Sequence, residues 1–225
     1  MEGHGTTALF EIFGLRVSSY VTTMWLVMAV ILIFSYFATR NLKKVPSGAQ
    51  NAMEYIIQVL TEFFSGIMGP KRAKQYLPIL VTYFLFILFS NYSGLLPLSG
   101  HIPGLAAPTS TISVTAGLAI VVFFCTHFFG IKENGIGYFK HFFQPVAFLF
   151  PLMIIEELVR PLSLSLRLYG NIFGEEMVTA QLFAMVPFGV PLIMQLMSIL
   201  FGLIQAFVFT LLAAVYFGGA TADHH

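Results

Sequence analysis

A long and mostly apolar run extends from residue 145 to residue 186 and carries an arginine near its centre. As one α-helix this run would measure about 60 Å, twice the hydrocarbon core of a bilayer, which is about 30 Å thick. Arg167 lies within two residues of the midpoint. A guanidinium at that depth costs about 2.5–3.5 kcal/mol or more. The run therefore predicts a helix that is strongly tilted, broken or partly outside the membrane, and Pro161 favours a bend within it.

Polar side chains recur along one face of this predicted helix. At 100° per residue, those that fall within about 40° of Arg167 are Glu156, Arg160, Ser163, Asn171 and Gly174. Lipid does not solvate such a stripe, so we expect it to face protein or water. Two acids, Glu175 and Glu176, follow about two turns beyond the arginine. Ionisable residues inside a membrane indicate a path for ions.

Composition places the chain among integral membrane proteins. Of its 225 residues 57% are hydrophobic and only 9% are charged, whereas soluble domains average about 25% charged residues. A net charge of +1 argues against a nucleic-acid partner. The single cysteine, Cys125, excludes a disulfide framework, and the histidines show no metal-ligand spacing. We therefore expect neither a metal nor a cofactor.

We predict an all-α integral membrane protein in which residues 1–225 form a single membrane domain. Five membrane-embedded helices are expected at residues 20–39, 76–97, 111–130, 145–186 and 191–218. The last two would form a long tilted helical hairpin around a turn that contains two prolines.

A sixth helix, at residues 49–68, is expected to be amphipathic, because its apolar residues recur at helical spacing with polar residues opposite. It would lie on the bilayer surface or pack across other helices. A helix that binds a partner protein is the alternative.

Basic residues cluster by loop and predict the topology. Residues 40–74 hold six lysines and arginines, whereas residues 1–19 hold one and residues 98–111 hold none. By the positive-inside rule, residues 40–74 and the C-terminus are cytoplasmic, and the N-terminus is outside.

The residues around Arg167 carry a specific motif. They read Ser163-Leu164-Ser165-Leu166-Arg167-Leu168-Tyr169-Gly170-Asn171 and are followed by an acid at Glu176. Supporting segments are NYSGLLP at 91–97, APT at 107–109, GIK at 130–132, GYFKHF at 137–142 and LIQAFVF at 203–209. Together they resemble subunit a of the F-type ATP synthase, bacterial type, over residues 77 to 218.

The resemblance implies an ion-translocating stator subunit of the membrane-embedded F0 sector, which is not an enzyme by itself. In that family a ring of helical hairpins, the c-ring, turns past the arginine, and each hairpin carries one carboxyl group. Two offset half-channels bring protons to the ring and take them away. The implied partners are the c-ring, the peripheral-stalk subunit b and the lipid bilayer, in a hetero-oligomeric complex of the bacterial inner membrane.

The resemblance also assigns site residues. Arg167 would separate the two half-channels, because an arginine keeps its proton and holds a fixed positive charge. Glu176 matches the channel acid of the family, with Glu175 as an alternative. Asn171 matches the motif and would bond the arginine, channel water or another helix. Gln205 matches the glutamine near the arginine.

Three residues depart from the family pattern. Ser198 shares a helix face with Gln205 and stands where many relatives have a histidine or an acid. Thr111 and Ser113 stand where relatives often have Asp and Asn. The outer half-channel would then depend on hydroxyl groups, Asn91 and water.

Two alternatives remain open at this point. Residues 156–160, read as EELVR, are similar to the motif of intramembrane glutamate-dependent endopeptidases that cut prenylated proteins, and residues 123–127 are similar to its histidine motif. The spacing is one residue short and the order is reversed. A self-contained ion carrier is the other alternative, which the lack of an inverted repeat disfavours.

Overall fold

The computed structural model describes residues 8–12, 15–40, 48–95, 106–135, 138, 150–185 and 189–222. Six helices dominate this part of the chain: α1 Ser19–Thr39, α2 Ala49–Met68, α3 Pro70–Ser93, α4 Ile112–Asn134, α5 Phe150–Met185 and α6 Val190–Ala220. A 3₁₀ turn, Pro108–Ser110, precedes α4. Residues 145–149 and residue 186 of the predicted arginine-bearing helix lie outside the described residues.

Two short strands precede α1 and depart from the all-helical prediction. β1 Ala8–Ile12 and β2 Leu15–Ser18 pair antiparallel, with Phe10 opposite Val17 and Ile12 opposite Leu15. Apolar and polar residues alternate in β2, which reads LRVS, whereas β1 reads ALFEI and is mostly apolar. The segments are too short for this alternation to stand out against the apolar runs that follow.

Four of the described helices are long and apolar enough to cross a membrane: Ser19–Thr39, Pro70–Ser93, Ile112–Asn134 and Leu192–Ala220. The longest helix, α5, is not among them, because acids and arginines interrupt its apolar residues. Length and composition therefore identify four candidate spans, one fewer than the five embedded helices that we predicted.

The third helix begins earlier than predicted. α3 starts at Pro70, where we expected residue 76, and it ends at Ser93 instead of residue 97. Gly69 ends α2 with φ 82°, and a proline suits the first turn of the next helix because its missing N–H would be unpaired there anyway. The basic residues 71–74 consequently form the first turn of α3, although the sequence suggested a loop.

The helix that carries Arg167 is continuous. α5 runs for 36 residues, so its length is about 54 Å. Pro161 lies inside it, and the chain remains helical on both sides of the proline. Of the three alternatives for this segment, a broken helix is therefore wrong for residues 150–185.

Helices α3 and α6 form the centre of the bundle. Their buried side chains include Leu80, Ile87, Phe209, Ala213 and Phe217, each fully or almost fully shielded. α5 joins this core through one face, formed by Leu164, Leu168 and Ile172 at helical spacing.

The amphipathic helix packs across other helices, which is one of its two predicted placements. α2 buries Leu60, Phe64 and Met68 and contacts α3 and α6. Glu54, Gln58 and Glu62 stay exposed on its opposite face.

Several helix termini with charged residues lie together at one end of the bundle. Asn134 Nδ2 donates to the Ala220 carbonyl oxygen at 3.0 Å, and Gln75 Nε2 donates to Glu133 Oε1 at 2.8 Å. The start of α3 and the ends of α4 and α6 therefore meet at this end, which we call the basic end because residues 71–74 lie there.

Candidate ion-translocation site

Arg167 lies on the exposed side of α5. Its neighbours Leu164 and Leu168 are buried against the bundle, whereas Leu162 and Leu166 on the outer side are 56% and 48% exposed. The arginine itself is exposed, and it makes no ion pair or side-chain hydrogen bond with any described residue. A guanidinium beside exposed apolar side chains requires a counterpart, and none is present among the described residues.

A short hydrogen bond joins two of the predicted site residues one turn beyond the arginine. Asn171 Nδ2 donates to Gln205 Oε1 at 2.6 Å and thereby ties α5 to α6. Gln205 is 3% exposed, and its Nε2 has no partner within the described part of the chain. A buried amide group without a partner is costly, so Nε2 suits a bound water molecule or an acceptor outside the described residues.

The Asn171–Gln205 bond can be tested with a double-mutant cycle. On the expectation from the resemblance to subunit a, Asn171→Ala and Gln205→Ala should each slow ATP-driven proton pumping in membrane vesicles. The double variant should be hardly slower than the slower single variant, with a coupling energy of about 1 kcal/mol, because either change removes the same bond. Asn171→Ala combined with Ser198→Ala is the control pair and should be additive. Additive rates for Asn171 and Gln205 would show that their bond does not matter for transport.

Glu176 lies at the other end of the site, among residues of three separate segments. Its Oε1 is 3.5 Å from the point where a Cβ on Gly94 would lie, just beyond the end of α3. The hydroxyl of Tyr20 in α1 lies within electrostatic range of Glu176 and interacts with the side chain of Ser110. Glu175 is half-buried beside Glu176. Glu176, which the sequence favoured over Glu175 as the channel acid, is therefore the acid with described contacts in this polar cluster.

Asn91 braces the same region. Its Nδ2 donates to the Gly202 carbonyl oxygen at 2.9 Å, and its Oδ1 accepts from Thr109 Oγ1 at 2.8 Å. It therefore connects α3, α6 and the 3₁₀ turn. Because Asn91 is 5% exposed, the structure supports a role in holding the site together. Its contribution to a channel lining stays a prediction.

Three further predicted positions are not joined to the acids by any described bond. Ser198 is buried, and its hydroxyl donates to the Met194 carbonyl oxygen of its own helix at 2.9 Å. Thr111 Oγ1 donates to the Pro108 carbonyl oxygen at 2.9 Å, and Ser113 is exposed. The roles of all the predicted site residues in transport stay predictions.

Sequence reasoning missed the surroundings of Glu176. Tyr20, Gly94 and Ser110 come from segments that are far apart in the chain, and no spacing rule relates them to an acid in α5. The only available signal was that Tyr20, Ser110 and the predicted outer end of α5 all lie on the same side of the predicted topology. Among the residues described, no group of three or more His, Cys, Asp or Glu side chains is arranged to hold a metal.

Fold and site together define a multi-pass membrane protein in which α5 carries an arginine, an amide and acids beside a largely apolar bundle. A family model described as ATP synthase A chain matches residues 21–218. The chain belongs to this ATP synthase A chain family, as the motif around Arg167 indicated.

Close relatives support the same conclusion over nearly the whole chain. ATP synthase subunit a of Moorella thermoacetica is 43% identical over 217 residues, which cover 96% of this chain and 96% of the relative. ATP synthase subunit a 1 of Pelobacter propionicus is 46% identical over 209 residues, with 91% and 88% covered. ATP synthase subunit a of Geobacter sulfurreducens is 46% identical over 205 residues, with 89% and 86% covered.

Proposed function

We propose that this chain is the proton-translocating stator subunit of the F0 sector of a rotary ATP synthase. Family membership supports this function, and the exposure of Arg167 is the structural observation that supports it most directly. Arg167 is exposed on the polar stripe of α5, beside exposed leucines such as Leu162 and Leu166, and has no counter-charge among the described residues. A subunit that meets a moving carboxyl group needs a fixed positive charge on its surface.

The chemistry at Arg167 is electrostatic. A ring carboxyl group that approaches the guanidinium is favoured in its ionised form, so its proton leaves into one half-channel as it arrives. The carboxylate passes the arginine and takes up a proton from the other half-channel when it moves away. Because Arg167 does not release its own proton, no proton crosses directly from one half-channel to the other.

Two separate regions lead away from Arg167 along α5. Glu176 lies nine residues beyond it, about 13 Å along the helix axis, beside Tyr20 and Ser110. We assign this cluster to the outer half-channel. On the other side the stripe continues through Ser163 towards the basic end, which is cytoplasmic by the positive-inside rule. The two access routes are therefore offset along α5.

The exposed apolar face beside Arg167 is the proposed contact with the c-ring. Gly170 lies on this face, and no atom lies within 4 Å of the point where its Cβ would be. Small residues let helix backbones approach closely in a membrane. Exposed side chains of α6, such as Leu200 and Leu203, would extend the same surface.

The remaining parts of the assignment follow the resemblance. We propose that α5 is embedded in the membrane as the fifth such helix and forms the tilted hairpin with α6. The peripheral-stalk subunit b would be a further partner, and the complex would lie in the bacterial inner membrane with the N-terminus outside and the C-terminus in the cytoplasm. The endopeptidase and the self-contained carrier find no support in the comparisons.

Purification tests the proposed function directly. A tagged form of the chain, solubilised from membranes in mild detergent, should migrate with a large complex that hydrolyses ATP and contains a ring of small carboxyl-bearing subunits. An unrelated multi-pass membrane protein with the same tag is the control. Migration as an isolated subunit, or proteolysis or ion transport by that isolated subunit, would refute the proposal.

A further inference from the structure

A second polar cluster lies between α4 and α5, closer to the basic end than Arg167. Arg160 donates to Glu157 Oε1 at 2.5 Å and to Glu156 Oε1 at 2.9 Å. Glu157 Oε2 lies 3.9 Å from His127 Nε2 across the interface between the two helices. The side chain of Glu157 is 18% exposed, whereas that of Glu156 is 63% exposed. The two neighbouring acids therefore differ: Glu157 faces into the protein, and Glu156 faces outwards.

A small cavity adjoins the inner acid. It has a volume of about 10 Å³, close to the space that one water molecule requires. Its polar lining comes from Thr126, Glu157, Arg160 and Tyr216. The guanidinium carbon of Arg160 lies 5.6 Å from the centre of the Tyr216 ring, which brings α6 into the cluster. Most of the cavity surface is apolar, so the cavity has room for one water molecule but offers it few polar partners.

A hydrogen bond of His127 determines which of its two ring nitrogens can accept a proton from Glu157. Nδ1 lies 2.9 Å from the Phe123 carbonyl oxygen, which can only accept, so Nδ1 carries a proton. In the neutral imidazole Nε2 then has a lone pair, and this atom is the one that faces Glu157. Histidine is the residue type that most readily gains or loses a proton between about pH 5 and 8.

Tyr138 covers the cluster without taking part in proton exchange. Its ring packs against Gly130 and lies 5.9 Å from the His127 ring, and the residue is 6% exposed. Burial, reinforced by the charge of Glu157 and opposed by Arg160, raises the pKa of the Tyr138 hydroxyl to about 12. Tyr138 therefore stays protonated and shields the cluster without exchanging a proton.

We propose that Glu157 and His127 form a proton-exchange site on the cytoplasmic route to Arg167, an assignment that rests on the proposed function. A proton that arrives from the Arg167 side binds the Glu157 carboxylate. It then passes to His127 Nε2, directly after a small side-chain movement or through one water molecule, and regenerates the carboxylate. The imidazolium releases the proton towards the basic end, and uptake follows the reverse order. Arg160 holds Glu157 in place during the exchange.

Passive proton flow through F0 in vesicles, measured against the pH on the cytoplasmic side, tests this site. Glu157→Gln and His127→Gln should each slow the flow about tenfold or more and flatten its dependence on the cytoplasmic pH. Glu157→Asp, which keeps a carboxyl group, should recover most of the flow. Glu156→Gln is the matched control, with the same change one residue away, and it should alter the flow less than about twofold.

Several outcomes would overturn the proposal. They are an unchanged pH profile in Glu157→Gln and His127→Gln, an equal or larger effect of Glu156→Gln, and failure of Glu157→Asp to recover the flow. Migration of each variant with the ATP-hydrolysing complex verifies assembly. Normal flow in the Glu157 and His127 variants, with transport lost in an Arg167 variant, would reject this site alone. Normal coupling in the Arg167 variant would reject the proposed function itself.

Discussion

Replacement of Arg167 by alanine is expected to abolish ion-driven ATP synthesis and leave assembly of the complex largely intact. Assembly should survive because the side chain is exposed and no described residue depends on it for a hydrogen bond or ion pair. Synthesis should stop because nothing then holds a positive charge between the half-channels, and protons cross without turning the ring. ATP synthesis by membrane vesicles in response to an imposed proton gradient measures the loss.

Arg40→Ala is the matched control for this experiment. Arg40 is also exposed, at the end of α1, and its described contact is with the Tyr36 ring, 5.9 Å from the guanidinium carbon. Its loss should leave synthesis near the unmodified rate, because an exposed surface charge contributes little. Normal coupled synthesis in Arg167→Ala would contradict the role assigned to the arginine.

Replacement of Glu176 by glutamine is expected to slow passive proton flow through F0 by about tenfold. This partial loss contrasts with the complete loss of ATP synthesis that is expected for Arg167→Ala. The amide has nearly the same shape, so the contacts around Gly94 and Tyr20 should persist. It does not titrate, however, and the outer half-channel would lose its acid. Flow into vesicles after a potential is applied gives the rate.

Glu175→Gln provides the comparison for Glu176→Gln, since it makes the same change of carboxyl to amide at the adjacent residue. It should have the smaller effect, because the described contacts with Tyr20 and Gly94 belong to Glu176. A larger effect of Glu175→Gln would make Glu175 the channel acid. No effect of either change would mean that hydroxyl groups and water carry protons on this side.

The helices were predictable because their signal is local and strong. A bilayer requires long apolar segments, so α1, α4 and α6 are found within a few residues of their predicted bounds. The start of α3 was harder to predict from the sequence. Three basic residues after Pro70 suggest a loop, and only the glycine turn at Gly69 together with packing against α2 makes them helical.

The motif likewise predicted candidate site residues but not their partners. Asn171 and Gln205 are 34 residues apart, and each matched the family separately. Their mutual bond depends on the antiparallel packing of α5 and α6. From the sequence, His127 and Glu157 were related only through their similarity to a protease motif. Their contact was not predictable, because a sequence does not specify which helix faces shield an acid from water.

The sequence by itself determined a membrane protein of helices, the position of Arg167 in the longest of them, and the family to which the chain belongs. These features follow from hydropathy and from a motif, both of which are read along the chain. Tertiary structure decided that Arg167 is exposed without an ion pair among the described residues, that Glu176 meets the segments around Tyr20 and Gly94, and that Glu157 is turned inwards while Glu156 is not. The reason is geometric: adjacent residues of a helix point about 100° apart, and packing against other helices selects which of them are buried.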